Sequence, residues 1–183
     1  MNWLPLHLAV ALWVAIPFVY FLTAGAKTFS VPADRDGGAV LGQVSFVSAT
    51  LCVLFLGFYQ ALAWYQVLCG GVLALCSVVL YEWTRRSVLD RHFWTGLGGE
   101  VPAVVCDAGP YRYVRHPFYF SYMVAFLAAA VAFTSLVAAA VCAGGIALFI
   151  YMAFDDERVL LRSPLAADYE AYRRRVGMFV PRV

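Results

Sequence analysis

The chain has 183 residues, of which 63% are hydrophobic and only 13% charged, with a formal net charge of +2. That apolar share lies far above the globular norm, and so small a net charge gives no sign of a nucleic-acid partner. The composition points to one membrane domain over residues 1–183, all-α in class.

Apolar stretches about long enough to cross a bilayer recur at 3–23, 39–58, 67–81, 118–134 and 136–154. Five transmembrane helices are therefore expected. In the first, Ala24-Gly25-Ala26 imitates a signal-peptidase site, but no basic residue precedes the run and Pro17 interrupts it, so it reads as a span. The last two predict a tight helical hairpin turning at Thr134-Ser135, because one helix over 118–154 would be about twice the bilayer thickness. Small residues crowd that hairpin (Ala128, Ala129, Ala130, Ala138, Ala139, Ala140, Gly144, Gly145), which predicts close helix–helix packing.

Charge placement fits this count. Lys27 and Arg35 lie in the connection 24–38, and Arg85, Arg86, Arg91, Arg112 and Arg115 in 82–117. The tail after 154 carries Arg158, Arg162, Arg173, Arg174, Arg175 and Arg182. Residues 1–2, 59–66 and 134–135 carry no Lys or Arg. Five spans put every such cation on one face, which the positive-inside rule assigns to the cytoplasm, with the N-terminus outside. In a bacterial cell this is the inner membrane. Trp3, Tyr59, Trp64 and Tyr65 on one side and Trp83 on the other suit interfacial belts.

Cys52, Cys69, Cys76 and Cys142 lie in apolar spans, where cysteine acts as a small hydrophobe. With Cys106 they form no C-x-x-C or Cys/His spacing, so no metal is expected. Gly96, Gly98 and Gly99 follow no strand and make no dinucleotide fingerprint.

The densest chemistry is Gly109-Pro110-Tyr111-Arg112-Tyr113-Val114-Arg115-His116-Pro117-Phe118-Tyr119. Polar groups are costly at a bilayer edge unless they bind something. Pro117 suits the first position of a helix, and the free N–H groups after it, beside Arg112, Arg115 and His116, suit a small anion. A second polar cluster, Asp155-Asp156-Glu157-Arg158, closes the fifth span. Three acids at a helix C-terminus oppose the macrodipole unless the helix runs on to about Ser163-Pro164. Antiparallel packing of the hairpin brings residue 117 and residue 155 to one membrane face, where a ligand carrying both a carboxylate and a cation would satisfy both clusters. The tail has Tyr169, Tyr172 and Val176 at helical spacing. It reads both as an interfacial helix holding anionic membrane lipids through its arginines and as a lid over the pocket.

The string GPYRYVRHPFY, the acidic pair followed by Leu160-Leu161, Tyr169-x-x-Tyr172 and the ending Val176-x-x-x-x-Pro181 resemble the isoprenylcysteine carboxyl methyltransferase family and its bacterial relatives. The resemblance covers roughly residues 80–183. It implies an integral-membrane enzyme using S-adenosylmethionine, with the cofactor site built from 109–119 and 155–176. On this resemblance Arg115, His116 and the backbone after Pro117 hold the cofactor's carboxylate end. Tyr111, Tyr113, Val114 and Tyr119 shape the pocket, and Asp156, Glu157, Tyr169 and Tyr172 complete it. Glu157 and Arg115 are the expected catalytic pair, Glu157 contacting the cofactor or orienting the nucleophile. The implied partner is a lipophilic or prenylated small molecule, first of all an isoprenylcysteine-type carboxylate. One departure bears on that acceptor: many relatives carry an arginine four positions before the acidic pair, where this chain has Met152. A phospholipid, amine or thiol acceptor with the same cofactor site is the alternative. A non-catalytic or reductase-like membrane protein is the other.

Overall fold

A computed structural model describes residues 4–28, 47, 51, 62–88 and 104–182. These form five α-helices: α1 (Leu4–Thr28), α2 (Trp64–Val88), α3 (Pro117–Ala132), α4 (Leu136–Leu161) and α5 (Ala166–Arg175), with a 3-10 turn at Gly109–Arg112. Among the described residues the only β pairing is one isolated parallel bridge between Val114 and Gly177. Three stretches are long and apolar enough to cross a membrane: His7–Ala24 within α1, α2, and α4. The chain is an integral membrane protein with an all-helical fold. The apolar α3, with 16 residues, reaches about 24 Å, short of the roughly 30 Å of a hydrocarbon core. The expected second span, 39–58, lies outside the described residues apart from two isolated helical positions.

Three helices run past the expected spans: α1 to Thr28, and α2 and α4 for local reasons. The expected span 67–81 becomes the 25-residue α2. At its start the Gln66 side chain turns back to accept the Ala63 N–H at 2.8 Å, the half of a capping box that a residue at the third helical position supplies. At its end Glu82 accepts from Arg85 and Arg86 at 2.7 Å each, carrying the helix past the apolar run. The span 136–154 likewise becomes the 26-residue α4, which runs to the Ser163-Pro164 stop. Asp155, Asp156 and Glu157 thus sit on its last two turns and not at its C-terminus. The hairpin turn falls at Phe133–Ser135, as expected, with Ser135 extended at the start of α4.

Contacts set the helix directions. Trp13 lies against Gly71 and the Tyr20 ring against Tyr81, so α1 and α2 run parallel. Gly70 faces Ala128 and Ala132 while Tyr81 meets Phe118, so α3 is antiparallel to α2; α4 returns antiparallel to α3. The end of α2, the start of α3 and the end of α4 therefore meet at one face, and every described arginine lies toward it. At the opposite face Gln66 donates to Thr134 at 3.1 Å, tying the start of α2 to the hairpin turn.

The core between these helices is aromatic. Tyr81, wholly buried, packs with Phe21, Phe118 and Tyr122, and Phe126 with Phe18 and Phe149. Ser77 and Ser121, also wholly buried, return their hydroxyls to the carbonyls of Ala74 and Phe118, so neither leaves an unmet donor. The small residues of the hairpin divide into two faces. Ala128, Ala129 and Ala138 are buried, whereas Ala139, Ala140 and Gly144 point outward. A Cβ on Gly145 would come within 2.7 Å of the Phe126 ring, while one on Gly144 meets nothing within 4 Å. Gly145→Ala is expected to lower stability by about 1–3 kcal/mol through overpacking. Gly144→Ala is expected to leave it unchanged or raise it, helix propensity being the only term. Thermal unfolding of both variants in detergent checks the pair.

Candidate functional site

The segment between α2 and α3 enters the site through a turn that only glycine permits. Gly109 has φ +55, and a Cβ there would lie 2.0 Å from Ser87 Oγ. The turn buries Tyr111, whose carbonyl accepts the Tyr172 hydroxyl at 2.7 Å. The chain then lays its backbone along the tail: the N–H of Arg115 donates to Gly177 O at 2.9 Å and that of His116 to Met178 O at 3.3 Å. Val114, buried, forms the bridge to Gly177. Pro117 opens α3 at its first position, as its fixed φ and missing donor favour.

Arg115 is the hub. Its Nε and Nη2 reach Glu157 Oε1 at 2.8 and 2.7 Å, with the two side chains only 6% and 7% exposed. Its Nη1 donates to Val176 O and, at 3.4 Å, to Arg173 O. One guanidinium thus joins the start of α3, the end of α4 and the tail beyond α5. Its hydrogen-bonding capacity is largely taken up inside the protein, so its geometry is that of a clamp. His116 Nε2 lies 3.2 Å from the same Glu157 Oε1. The imidazole stacks on Tyr119, with ring centroids 5.7 Å apart, and the Phe179 ring centroid lies 6.0 Å away.

Glu157 is served unevenly. All three close contacts fall on Oε1, and Oε2 has Arg173 Nη1 at 3.9 Å as its ion-pair neighbour. Beside the pair lies Tyr169, 4% exposed, with the Glu157 carboxylate and Arg115 guanidinium as charged neighbours. Its hydroxyl has no hydrogen-bond partner. Burial pushes the Tyr169 and Tyr172 phenols well above their ordinary range, so both remain protonated donors. Tyr172 uses its proton on Tyr111 O, and Tyr169 holds one ready. One residue earlier in α4, Asp156 accepts the Tyr119 hydroxyl at 2.7 Å.

The clusters expected from the sequence do converge: Tyr111, Val114, Arg115, His116, Tyr119, Asp156, Glu157, Tyr169 and Tyr172 all come together at this face. Tyr113 does not join them. It is 55% exposed and turns outward beside Trp83, ring centroids 6.2 Å apart. The tail is not an amphipathic helix with its apolar side in lipid: Tyr169, Tyr172 and Val176 are buried against Val105, Leu160 and Leu161. Its outward arginines remain available to an anionic surface. Gly177, Met178 and Phe179, which cover His116, were missed. Their signal was a glycine preceding an apolar Met-Phe-Val run at the end of a charged helix.

The sequence model of the phospholipid methyltransferase family matches residues 65–163, more than half of the chain. The protein belongs to that family of integral membrane methyltransferases, the group that also takes in the isoprenylcysteine carboxyl methyltransferase-like enzymes. The match runs from the start of α2 through the acidic residues of α4, so it contains both polar clusters. Compared with curated proteins, the chain has no significant match.

Proposed function

We propose that this protein transfers a methyl group from S-adenosylmethionine to a lipophilic acceptor that reaches the site from the bilayer. One observation carries the cofactor reading. The buried, protonated Tyr169 hydroxyl, with no hydrogen-bond partner, has the Glu157 carboxylate as a charged neighbour, and no described hydrogen bond reaches Glu157 Oε2. Buried polar groups left unmet are costly, and this pair of opposite character suits a ligand bearing both an acceptor and a cation. The cofactor's amino-acid end is such a group. His116 and the backbone after Pro117 would hold its carboxylate, Glu157 its ammonium, and Tyr169 and Tyr172 would close the tail over it. The sulfonium supplies an already activated methyl group, so the chain's own work is to orient the acceptor and exclude water. Arg115 positions Glu157 and the tail.

The acceptor classes separate at Met152. An isoprenylcysteine-type carboxylate calls for a cation near the acidic pair, but Met152 packs against the apolar core and Arg158 is 64% exposed, near Asp155 at 3.9 Å. This lining favours the second reading, a phospholipid, amine or thiol head. We infer further that the arginine-bearing face and C-terminus are cytoplasmic and the N-terminus outside, in the cell inner membrane, on charge asymmetry.

His116→Ala is expected to weaken S-adenosylhomocysteine binding at least tenfold, read by titration of purified protein in detergent. Unchanged affinity would remove His116 from the cofactor site. Methyl transfer from labelled cofactor to a prenylcysteine carboxylate and to lipophilic amine, thiol and phospholipid acceptors tests the acceptor class. Strong, exclusive labelling of the carboxylate would overturn the reading drawn from Met152.

A further inference from the structure

Part of the segment before α3 is turned away from the pocket. Arg112 and Tyr113 are exposed, while Tyr111 and Val114 on either side of them are buried. The turn rests on the end of α2: a Cβ on Gly109 would lie 3.4 Å from Trp83 Nε1, and the Tyr113 and Trp83 ring centroids are 6.2 Å apart. Arg112 falls between these contacts, and its one described hydrogen bond uses Nε, to Asp107 O at 3.4 Å. Arg86, one turn beyond Trp83, is 74% exposed and shares Glu82 with Arg85. Arg85 alone gives that carboxylate two hydrogen bonds and Tyr20 adds another, so Arg86 is the surplus cation.

The depth of this corner is set by α2 itself. Trp64 and Trp83, both exposed, stand about 28 Å apart along the helix axis, close to the roughly 30 Å of a hydrocarbon core. They mark the two interfaces, where tryptophan concentrates. Arg86 follows about 4.5 Å further out, at the depth of lipid phosphates. Leu68, Val72, Leu75 and Val79 are exposed at helical spacing on the face that carries Trp83 and Arg86. This face is therefore apolar along the length of an acyl chain, aromatic at the interface and cationic at its end.

We infer that this corner holds one anionic phospholipid from the leaflet on the arginine-bearing side. Its phosphate sits between Arg86 and Arg112, its glycerol region against Trp83 and Tyr113, and an acyl chain along the α2 ridge. A guanidinium suits phosphate because its fork bonds two oxygens at once. A net negative headgroup is selected because cations are in excess here, with Arg85, Arg86 and Arg112 set against Glu82 and Asp107. A zwitterionic lipid brings the same phosphate and chains but cancels the charge with its own cation. The site is separate from the cofactor pocket, takes no part in methyl transfer and does not use the arginines of α5.

The test titrates full-length protein in a neutral detergent with dioleoylphosphatidylglycerol, dioleoylphosphatidylcholine and inorganic phosphate, and counts bound lipid by native mass spectrometry. The first equivalent of phosphatidylglycerol should bind at least about tenfold tighter than phosphatidylcholine, each arginine contributing about fivefold. Millimolar inorganic phosphate should not displace it, since a free anion lacks the chain contacts. Arg86→Gln with Arg112→Gln should abolish the preference while helix content by circular dichroism stays unchanged. Arg174→Gln with Arg175→Gln, both exposed on α5, should leave it intact. Equal binding of the two lipids, or a preference that survives in the Arg86 and Arg112 variant, overturns the proposal. Displacement by phosphate overturns it as well, and loss of preference in the α5 variant alone would place the lipid on the tail instead. Should the double variant fail to fold, Arg86→Gln alone decides: undiminished phosphatidylglycerol affinity there overturns the site.

Discussion

Glu157→Leu is expected to destabilise the protein by about 3–5 kcal/mol, the cost of leaving a buried charge without its partner. Arg115 would keep its place between α3 and the tail, with Nε and Nη2 facing no carboxylate and His116 losing its neighbour. Replacing both partners, Arg115→Met with Glu157→Leu, should recover part of that loss, since no buried charge then remains. Recovery should be incomplete, because Val176 O and Arg173 O also accept from this guanidinium. S-adenosylhomocysteine binding should be lost in the single and the double variant alike. Thermal unfolding midpoints of the two in detergent check the stability ordering. A single variant as stable as wild type would show that the pair does not hold the tail.

The second large effect is expected at Gly177. A Cβ there would lie 1.8 Å from Val180 O, so Gly177→Ala must open the turn that lays Met178 and Phe179 over His116. The two backbone hydrogen bonds from Arg115 and His116 to this segment would go with it. The helices do not depend on that turn, so helix content by circular dichroism should be unchanged. S-adenosylhomocysteine affinity should fall at least tenfold, each lost buried hydrogen bond contributing about 0.5–1.5 kcal/mol. Wild-type affinity in this variant would mean that the tail segment does not cover the cofactor.

How much of this was legible in the sequence follows the range of each interaction. Pro117 at a helix start, the break at Thr134-Ser135 and the meeting of residues 116–119 with 155–157 depend on local chemistry and on one hairpin, and the sequence carried them. Helix lengths were underestimated where charged residues extend an apolar run: Glu82 with its two arginines, and the acids of α4, look like span ends but lie within the helices. The destination of the tail's apolar stripe was ambiguous, because Tyr169, Tyr172 and Val176 would suit lipid or protein equally well. Only the placement of Val105, Leu160 and Leu161 decides for protein. Tyr113 was misplaced for a similar reason. Around a turn as tight as Gly109–Arg112, Tyr111 and Val114 are buried while Arg112 and Tyr113 are exposed, and spacing alone does not say which tyrosine turns out. That Arg115 commits its guanidinium to Glu157 and the tail carbonyls was hidden, since the hairpin brings the two ends together without saying which side chains pair.

The central claim is that the cluster at the ends of α3 and α4 is a site for S-adenosylmethionine. Its most direct test is equilibrium titration of the purified protein in detergent with S-adenosylhomocysteine and, separately, with NADPH. The account predicts saturable binding of S-adenosylhomocysteine, weakened by His116→Ala and Gly177→Ala, and no binding of NADPH. Saturable NADPH binding with none of S-adenosylhomocysteine would contradict it and point to a reductase-like protein on the same scaffold.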